Sequence, residues 1–245
     1  MTIASLAMYP FPQLQPAYDE LWDHVRARLP LEAPSLDWGL DPDLACRRDD
    51  LLLGQTCGWP LVKYLVETVR VVGTFDCHVP DAVDGTYRSV LVSSVDDSLP
   101  NILQHSDLRV AANSVDSLSG WISMQTVAAA HGVELKDVLW TGSHAASIEA
   151  VRNGRCRLAS IDAVSWVHLG GHGLTVVGSG PRTPCLPLVT AASSSDALLG
   201  QLRAGLSAAV GDPALADVCD TLKIRAFVER DLANYEGLSE SLQLW

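Results

Sequence analysis

The sequence has few basic residues and no long apolar run. Lysine and arginine number 17 against 29 aspartates and glutamates, which gives a formal net charge of −12. Proteins that bind nucleic acids carry a basic stripe, so this partner class is excluded. No stretch approaches the roughly 20 apolar residues of a membrane-spanning helix, so no membrane span is expected. Apolar residues nevertheless make up 48% of the 245 residues, which is enough for a packed core.

Motifs for metals, nucleotides and activated nucleophiles are also absent. Six cysteines are scattered without a C-x-x-C pair or the spacing of a zinc site. We expect most of them to be small buried side chains. The chain has no G-x-S-x-G, P-loop, H-E-x-x-H or G-x-G-x-x-G motif. The sequence therefore predicts neither a metal nor a cofactor.

The N-terminal segment MTIASLAMYPFP has no lysine or arginine before its short apolar run. A secretory signal needs such a basic region, so the segment is predicted to be a first strand instead. A periplasmic location then requires that a leader has been removed. A cytoplasmic location is the alternative.

Strand-like and helix-like stretches alternate along most of the chain. This rhythm predicts an α/β protein with mostly parallel sheets flanked by helices, and ligands at the carboxyl ends of the strands. The predicted strands lie at 3–9, 50–58, 86–94, 108–113, 137–143 and 157–164, and the predicted helices at 17–29, 60–69, 120–132, 145–154, 195–211 and 213–228.

Two segments rich in glycine, proline and polar residues interrupt the rhythm and suggest two crossings between lobes. We predict a discontinuous lobe 1 from 1–76 plus 187–245 and an inserted lobe 2 from 86–178. The hinge crossings are then 77–85 and 179–186, and the ligand cleft is expected between the two lobes.

The turn 113–120, NSVDSLSG, carries more polar side chains than a helix cap needs. Ser117 or Asp116 is sufficient to cap the helix that follows. Free backbone N–H groups at a helix start, with the hydroxyls of Ser117 and Ser119 and with Gly120, also suit a tetrahedral oxyanion. Both interpretations remain open from the pattern alone.

A second strand-to-helix turn contains Gly142, Ser143 and His144. Neighbouring turns of a parallel sheet converge, so His144 is a candidate donor to the same anion; otherwise Ser143 is a cap and His144 an exposed side chain. Asp162 follows another strand and either caps the next helix or accepts from a ligand amine or a protonated phosph(on)ate oxygen.

In the first lobe, Tyr9 and Gln55 follow predicted strands and carry polar tips suited to a pocket wall. Ser117 or Ser119 with His144 and Asp162 also permits a Ser-His-Asp arrangement, but only geometry identifies a triad.

With these residues in view, the chain resembles the substrate-binding proteins of phosphate, phosphite and phosphonate ABC transporters, a branch of the type 2 periplasmic-binding-protein fold. The resemblance covers roughly residues 3–210. It depends on MYPF, LLLGQTCGWP and DGTYRSVLVSS, and above all on NSVDSLSGW, TGSHAASIEAVRNGRCRLASIDAVSW and PRTPCLPLV.

The resemblance implies a non-catalytic, two-lobed solute-binding protein for ABC-type uptake or sensing, with an ABC permease as partner. It implies a phosphate or phosphonate ligand gripped by Ser117, Ser119, Gly120 and His144, and we also expect Ser143 to be a ligand-binding residue. Tyr9 would close the cleft, and Asp162 would meet a ligand amine. The turn with Gln55 lacks the tyrosine expected of phosphonate binders, which leaves the ligand's organic part open. The alternative is a cytoplasmic small-molecule enzyme or sensor using the same cleft, with His144 as acid or base.

Overall fold

The structure is a computed structural model, and it describes residues 2–238. Its strands are Ile3–Ser5 (β1), Leu51–Gln55 (β2), Val69–Cys77 (β3), Thr86–Ser93 (β4), Arg109–Ala112 (β5), Asp137–Trp140 (β6), Leu158–Ile161 (β7), Thr175–Pro184 (β8), Pro187–Ala191 (β9) and Ile224–Val228 (β10). Its α-helices are Gln15–Arg26 (α1), Pro42–Ala45 (α2), Gly58–Pro60 (α3), Leu99–Leu103 (α4), Ser123–Ala130 (α5), His144–Arg152 (α6), Ala163–Leu169 (α7), Asp196–Val210 (α8), Ala216–Leu222 (α9) and Ala233–Glu236 (α10). Two π-helical turns, Leu61–Leu65 and Leu118–Ile122, continue α3 and lead into α5, and a 3₁₀ turn, Pro213–Leu215, precedes α9.

The chain divides into two compact units, each with its own five-stranded sheet. Unit 1 comprises residues 2–78, 82–86 and 184–237, and unit 2 comprises residues 79–81, 87–183 and 238. The predicted α/β class with two sheets flanked by helices is confirmed. The exact lobe boundaries and hinge crossings stay a prediction.

The sheet of unit 1 has the strand order β1-β2-β9-β3-β10 and is mainly antiparallel. The strands β1 and β2 pair in parallel, while β9 is antiparallel to both β2 and β3, and β10 is antiparallel to β3. The prediction of a mostly parallel sheet is therefore wrong for this unit. The strands β2 and β3 do run in the same direction, as the βαβ rhythm requires, but β9 lies between them in the opposite sense.

The sheet of unit 2 has the order β6-β5-β7-β4-β8. Its centre agrees with the prediction, because β5 is parallel to both β6 and β7, while β4 is antiparallel to β7. The three parallel strands end at one edge of the sheet. The turns that carry the candidate site follow these strands.

Two segments differ from the elements predicted for them. The helix predicted over 213–228 stops at Leu222, because Lys223 adopts a left-handed backbone with φ of 56°, and β10 follows. The crossing predicted at 179–186 is largely extended backbone of β8. Glycine and proline are tolerated in such a strand at the edge of a sheet, and β8 is the last strand in the order of its sheet.

Apolar packing fixes each sheet to its helices. In unit 1, Trp22 and Val25 of α1 are buried, and Gly205 of α8 allows close approach, since an added Cβ would lie 3.2 Å from Val25 Cγ1. Burial of a large apolar side chain contributes roughly 1.5–3 kcal/mol. In unit 2 a buried apolar cluster consists of Val92, Ala111, Ile148, Ala150, Val151, Cys156, Ala159 and Ile161.

Candidate functional site

The turns after β5 and β6 are joined by backbone hydrogen bonds. The N–H of Thr141 donates to the carbonyl of Ala112 at 2.9 Å, and the N–H of Gly142 donates to the carbonyl of Asn113 at 3.0 Å. Gly142 has a φ of +83°, which glycine adopts without strain. The convergence expected for these two turns is thus present within unit 2.

Ser117 begins the helix after β5. Its Oγ accepts a hydrogen bond from the N–H of Gly120 at 3.0 Å, and its carbonyl accepts from the N–H of Ile122 in the π-helical turn. Ser117 is therefore the cap that the pattern allowed. A capping oxygen leaves its own hydroxyl proton to donate elsewhere, so capping and anion binding are compatible.

Ser119 contacts His144 across the two turns, with 3.1 Å between Ser119 Oγ and His144 Nε2. His144 is the first residue of α6, and that helix is capped by the exposed Ser143, whose Oγ accepts from the N–H of Ala146 at 3.1 Å. The carbonyl of Ser119 also accepts from the hydroxyl of Ser160 in β7 at 2.5 Å. Hydrogen bonds thus connect all three parallel strands at this edge.

The environment of His144 favours the neutral form of its ring. Burial lowers its pKa from the ordinary value of 6.5, and the negative charge of Asp162 opposes this shift only in part. A neutral imidazole offers one donor and one acceptor nitrogen. Nε2 faces Ser119, while Nδ1 is buried without a hydrogen-bond partner among the described residues.

Asn113 and Gly120 fit against each other at the centre of the first turn. A Cβ on Gly120 would lie 1.9 Å from Asn113 Oδ1 and 2.9 Å from Ser117 Oγ, so no other residue type fits at Gly120 without displacement. Asn113 Oδ1 is buried and has no hydrogen-bond partner among residues 2–238. The sequence pattern did not single out Asn113 as a site residue, although its place directly after a strand was a usable signal.

Asp162 is buried, and its carboxylate is engaged within unit 2. Oδ1 accepts from the N–H of Ser165 at 2.8 Å and so caps α7, while Oδ2 accepts from the hydroxyl of Tyr87 at 2.7 Å. Tyr87 lies inside β4 and carried no sequence signal for this role. The predicted contact of Asp162 with a ligand amine stays a prediction.

Tyr9 and Gln55 belong to unit 1. Both are buried; the ring centroid of Tyr9 lies 6.4 Å from that of Phe11, and Gln55 is the last residue of β2. Gln55 Oε1 is buried without a partner among the described residues, and so are Ser5 Oγ and Thr56 Oγ1 at the same strand ends. The part of Tyr9 and Gln55 in ligand binding stays a prediction.

Residues 2–238 contain no group of three or more histidine, cysteine or acidic side chains placed to hold a metal ion. Within the same range, no helix combines the length and the apolar character needed to cross a bilayer. The six cysteines lie within the described part of the chain, where none forms a disulfide, and all of them except Cys57 are buried.

Comparison with known proteins gives one family match and many structural likenesses. The family described as ABC transporter, phosphonate, periplasmic substrate-binding protein matches residues 61–235, which is more than half of the chain. No curated protein matches the chain.

Two solved structures show the fold. The chain is 16% identical to PhnD1 from Prochlorococcus marinus in complex with methylphosphonate, covering 98% of this chain and 94% of that one with a TM-score of 0.75. It is also 16% identical to a binding protein component of an ABC phosphonate transporter from Pseudomonas aeruginosa. That match covers 99% of this chain and 85% of the other one, with a TM-score of 0.75. These likenesses place the chain in the two-lobed type 2 periplasmic-binding-protein fold.

A third structure extends the range of ligands seen on this fold. XAC2383 from Xanthomonas citri, bound to ATP, is 14% identical, with 99% of this chain and 96% of that one covered and a TM-score of 0.72.

Proposed function

The chain belongs to the family of periplasmic substrate-binding proteins of phosphonate ABC transporters, and we propose that its unit 2 holds the phosphoryl group of phosphate or a phosphonate. Its role is that of a solute-binding protein for ABC-type uptake. The proposed contacts are the hydroxyls of Ser117 and Ser119, the first N–H groups of the helix that begins at Leu118, and His144. Ser143 supports them by capping α6.

The pairing of Ser119 with His144 carries this proposal. It brings a hydroxyl and a neutral imidazole from two different turns to 3.1 Å, beside a helix start whose first N–H groups have no intrahelical acceptor. A neutral imidazole has one N–H, so when Nε2 donates to Ser119 Oγ, the Ser119 hydroxyl proton is left to donate to an oxyanion together with the N–H groups of the helix start.

The acidic surface does not argue against an anionic ligand. The net charge of −12 acts at long range, where salt screens it over about 8 to 10 Å. Hydrogen bonds to a bound oxyanion act over about 3 Å and are charge-assisted, so local donors decide the binding.

The ligand class follows from the family and from one structural relative. PhnD1 from Prochlorococcus marinus is in complex with methylphosphonate, and we infer a ligand of the same class here. The permease of an ABC uptake system is the proposed partner, and the periplasm is the proposed location.

Isothermal titration calorimetry of the dialysed protein with methylphosphonate, 2-aminoethylphosphonate, phosphate and phosphite tests the proposal. At least one of them is expected to bind, and Ser119→Ala is expected to weaken that binding by about tenfold or more through a lost hydrogen bond to a charged group. Ser207→Ala, an exposed serine of α8, is the matched control and should leave the affinity unchanged. Binding that is equal in Ser119→Ala and the unsubstituted protein would contradict the site.

We also infer that the site has no catalytic step. Ligand released from the protein by denaturation is therefore expected to have its original mass. A changed mass that disappears in His144→Gln would show turnover and would favour the enzyme alternative.

A further inference from the structure

We infer that Asn113 selects the ligand by its proton: Asn113 Oδ1 accepts a hydrogen bond from a protonated oxygen of the bound oxyanion, so unit 2 takes hydrogen-bearing phosph(on)ate and rejects sulfate. This inference depends on the proposed function and makes it more specific. It adds a binding residue and a selection rule to that site.

The first observation is an unsatisfied acceptor. Asn113 Oδ1 is buried and has no hydrogen-bond partner among the described residues. A buried acceptor without a partner destabilises the folded protein, because its bond to water is lost and not replaced. Native proteins contain few such atoms, and functional sites are one of the places where they persist.

The second observation is its position among the proposed ligand contacts. Oδ1 lies against Gly120, 1.9 Å from the point that a Cβ would occupy, and Ser117 Oγ lies 2.9 Å from the same point. Ser119, which precedes Gly120 in the chain, contacts His144. The backbone of Asn113 is itself held by the N–H of Gly142. Asn113 is therefore anchored beside the cluster through its backbone, with Oδ1 against Gly120.

Asn113 Oδ1 differs from the serine hydroxyls and the helix N–H groups of the site in its hydrogen-bonding capacity. Serine hydroxyls and helix N–H groups can all donate to an oxyanion, whereas a carbonyl oxygen only accepts. An accepting oxygen repels a fully deprotonated ligand oxygen and is satisfied by a P–O–H group. A phosphoryl group has its second pKa at about 6, so the hydrogen-bearing form is present near neutral pH. Sulfate has no proton to donate there.

The sequence suggested this accepting role for Asp162, but both oxygens of that carboxylate accept hydrogen bonds inside unit 2. Asn113 Oδ1 is a carbonyl acceptor in the site without such a bond among the described residues. We therefore assign the accepting role to the neutral amide of Asn113 and not to the charged carboxylate of Asp162. A neutral acceptor also repels an anionic ligand less than a carboxylate does.

Two substitutions at Asn113 test the inference by titration with methylphosphonate and with sulfate. Asn113→Leu keeps the volume and removes the acceptor; it should weaken methylphosphonate binding by at least about tenfold and leave sulfate unchanged or tighter. Asn113→Asp keeps an oxygen acceptor; it should retain methylphosphonate binding within about tenfold and still exclude sulfate. Asn101→Leu, at an exposed asparagine of α4, is the control and should change neither affinity.

Each other result overturns the inference. Equal weakening of both anions by Asn113→Leu would assign Asn113 a structural role only. Weakening of methylphosphonate binding by Asn113→Asp far beyond the tenfold allowed for its added charge would mean that the amide nitrogen, a donor, faces the ligand. Sulfate binding as tight as methylphosphonate in the unsubstituted protein would remove the selection rule. Absence of all oxyanion binding in that protein would refute the proposed function itself, a result distinct from the other three.

Discussion

The strand ends of unit 1 and unit 2 both bury polar side chains, but they differ in how these side chains are satisfied. In unit 2 the hydroxyls of Ser117, Ser119 and Ser160 each contact a neighbouring polar group. In unit 1, Ser5, Gln55 and Thr56 each leave a buried oxygen without a partner among the described residues.

The serine hydroxyls of unit 2 are thus preorganised, although Asn113 Oδ1 and His144 Nδ1 beside them lack a partner among the described residues, whereas the hydroxyls at the strand ends of unit 1 are unsatisfied. The unit 2 cluster is held by its own hydrogen bonds, so its geometry is defined before a ligand arrives. The unsatisfied oxygens of unit 1 instead lower the stability of the folded protein. Substitutions in the two units should therefore change the free energy of unfolding in different directions and by different amounts.

The largest effect is expected at Gly120, which holds the unit 2 cluster together. Gly120→Ala places a Cβ 1.9 Å from Asn113 Oδ1 and must displace it. We expect a loss of about 3 kcal/mol in the free energy of unfolding, measured by urea denaturation. Adding Asn113→Ala should restore part of this loss, because the clashing atom is removed.

The matched control is Gly200→Ala in α8, where an added Cβ meets nothing within 4 Å. Alanine is favoured over glycine in a helix by roughly 0.5–1 kcal/mol, so this variant should be slightly more stable. Equal destabilisation by both substitutions would mean that the contact with Asn113 is not what restricts position 120.

The next effect is expected at Tyr87, whose hydroxyl satisfies the buried Asp162. Tyr87→Phe removes the 2.7 Å hydrogen bond and leaves a carboxylate oxygen without that donor. We expect a loss of about 2 kcal/mol in the free energy of unfolding, because hydrogen bonds to charged groups contribute about 1.5–3 kcal/mol. Tyr64→Phe, at an exposed tyrosine, should change little, and a Tyr87→Phe variant of equal stability would show that Asp162 does not need this donor.

A third test uses pH, since His144 is a titratable group of the unit 2 cluster with a shifted pKa. Its folded-state pKa lies below 6.5, so the unfolded state takes up the proton first as the pH falls. The contribution of the lowered His144 pKa to the free energy of unfolding is complete above about pH 6.5. Below that pH it declines by at most about 1.4 kcal/mol per pH unit.

Denaturation from about pH 7 down to about pH 5 measures this decline. His144→Gln should show a shallower decline in stability than the unsubstituted protein. His131→Gln, at an exposed histidine, should show the same decline as the unsubstituted protein. If the His144→Gln profile matches that of the unsubstituted protein, the ring is not held neutral by burial.

The comparison also shows which parts of the structure the sequence could predict. The three parallel strands of unit 2 and the convergence of Ser119 with His144 follow from local patterns, because strand-to-helix turns of a parallel sheet meet at one edge. Tyr87 and Ser160 could not be identified, since each lies within a strand and contacts a residue far away in the chain. The antiparallel insertion of β9 was missed for the same reason: strand partners depend on long-range packing.

The smallest effects test the comparison most directly, because their signs should be opposite. Ser160→Ala removes a hydroxyl that donates to the Ser119 carbonyl, and should lower the free energy of unfolding by about 1 kcal/mol. Thr56→Val replaces a buried hydroxyl that has no partner by a methyl group of similar size, and should raise it by up to about 1 kcal/mol. Urea denaturation of both variants resolves differences of this size. A loss of stability in Thr56→Val would mean that Thr56 Oγ1 is satisfied in solution, and the contrast between the two units would then not extend to this position.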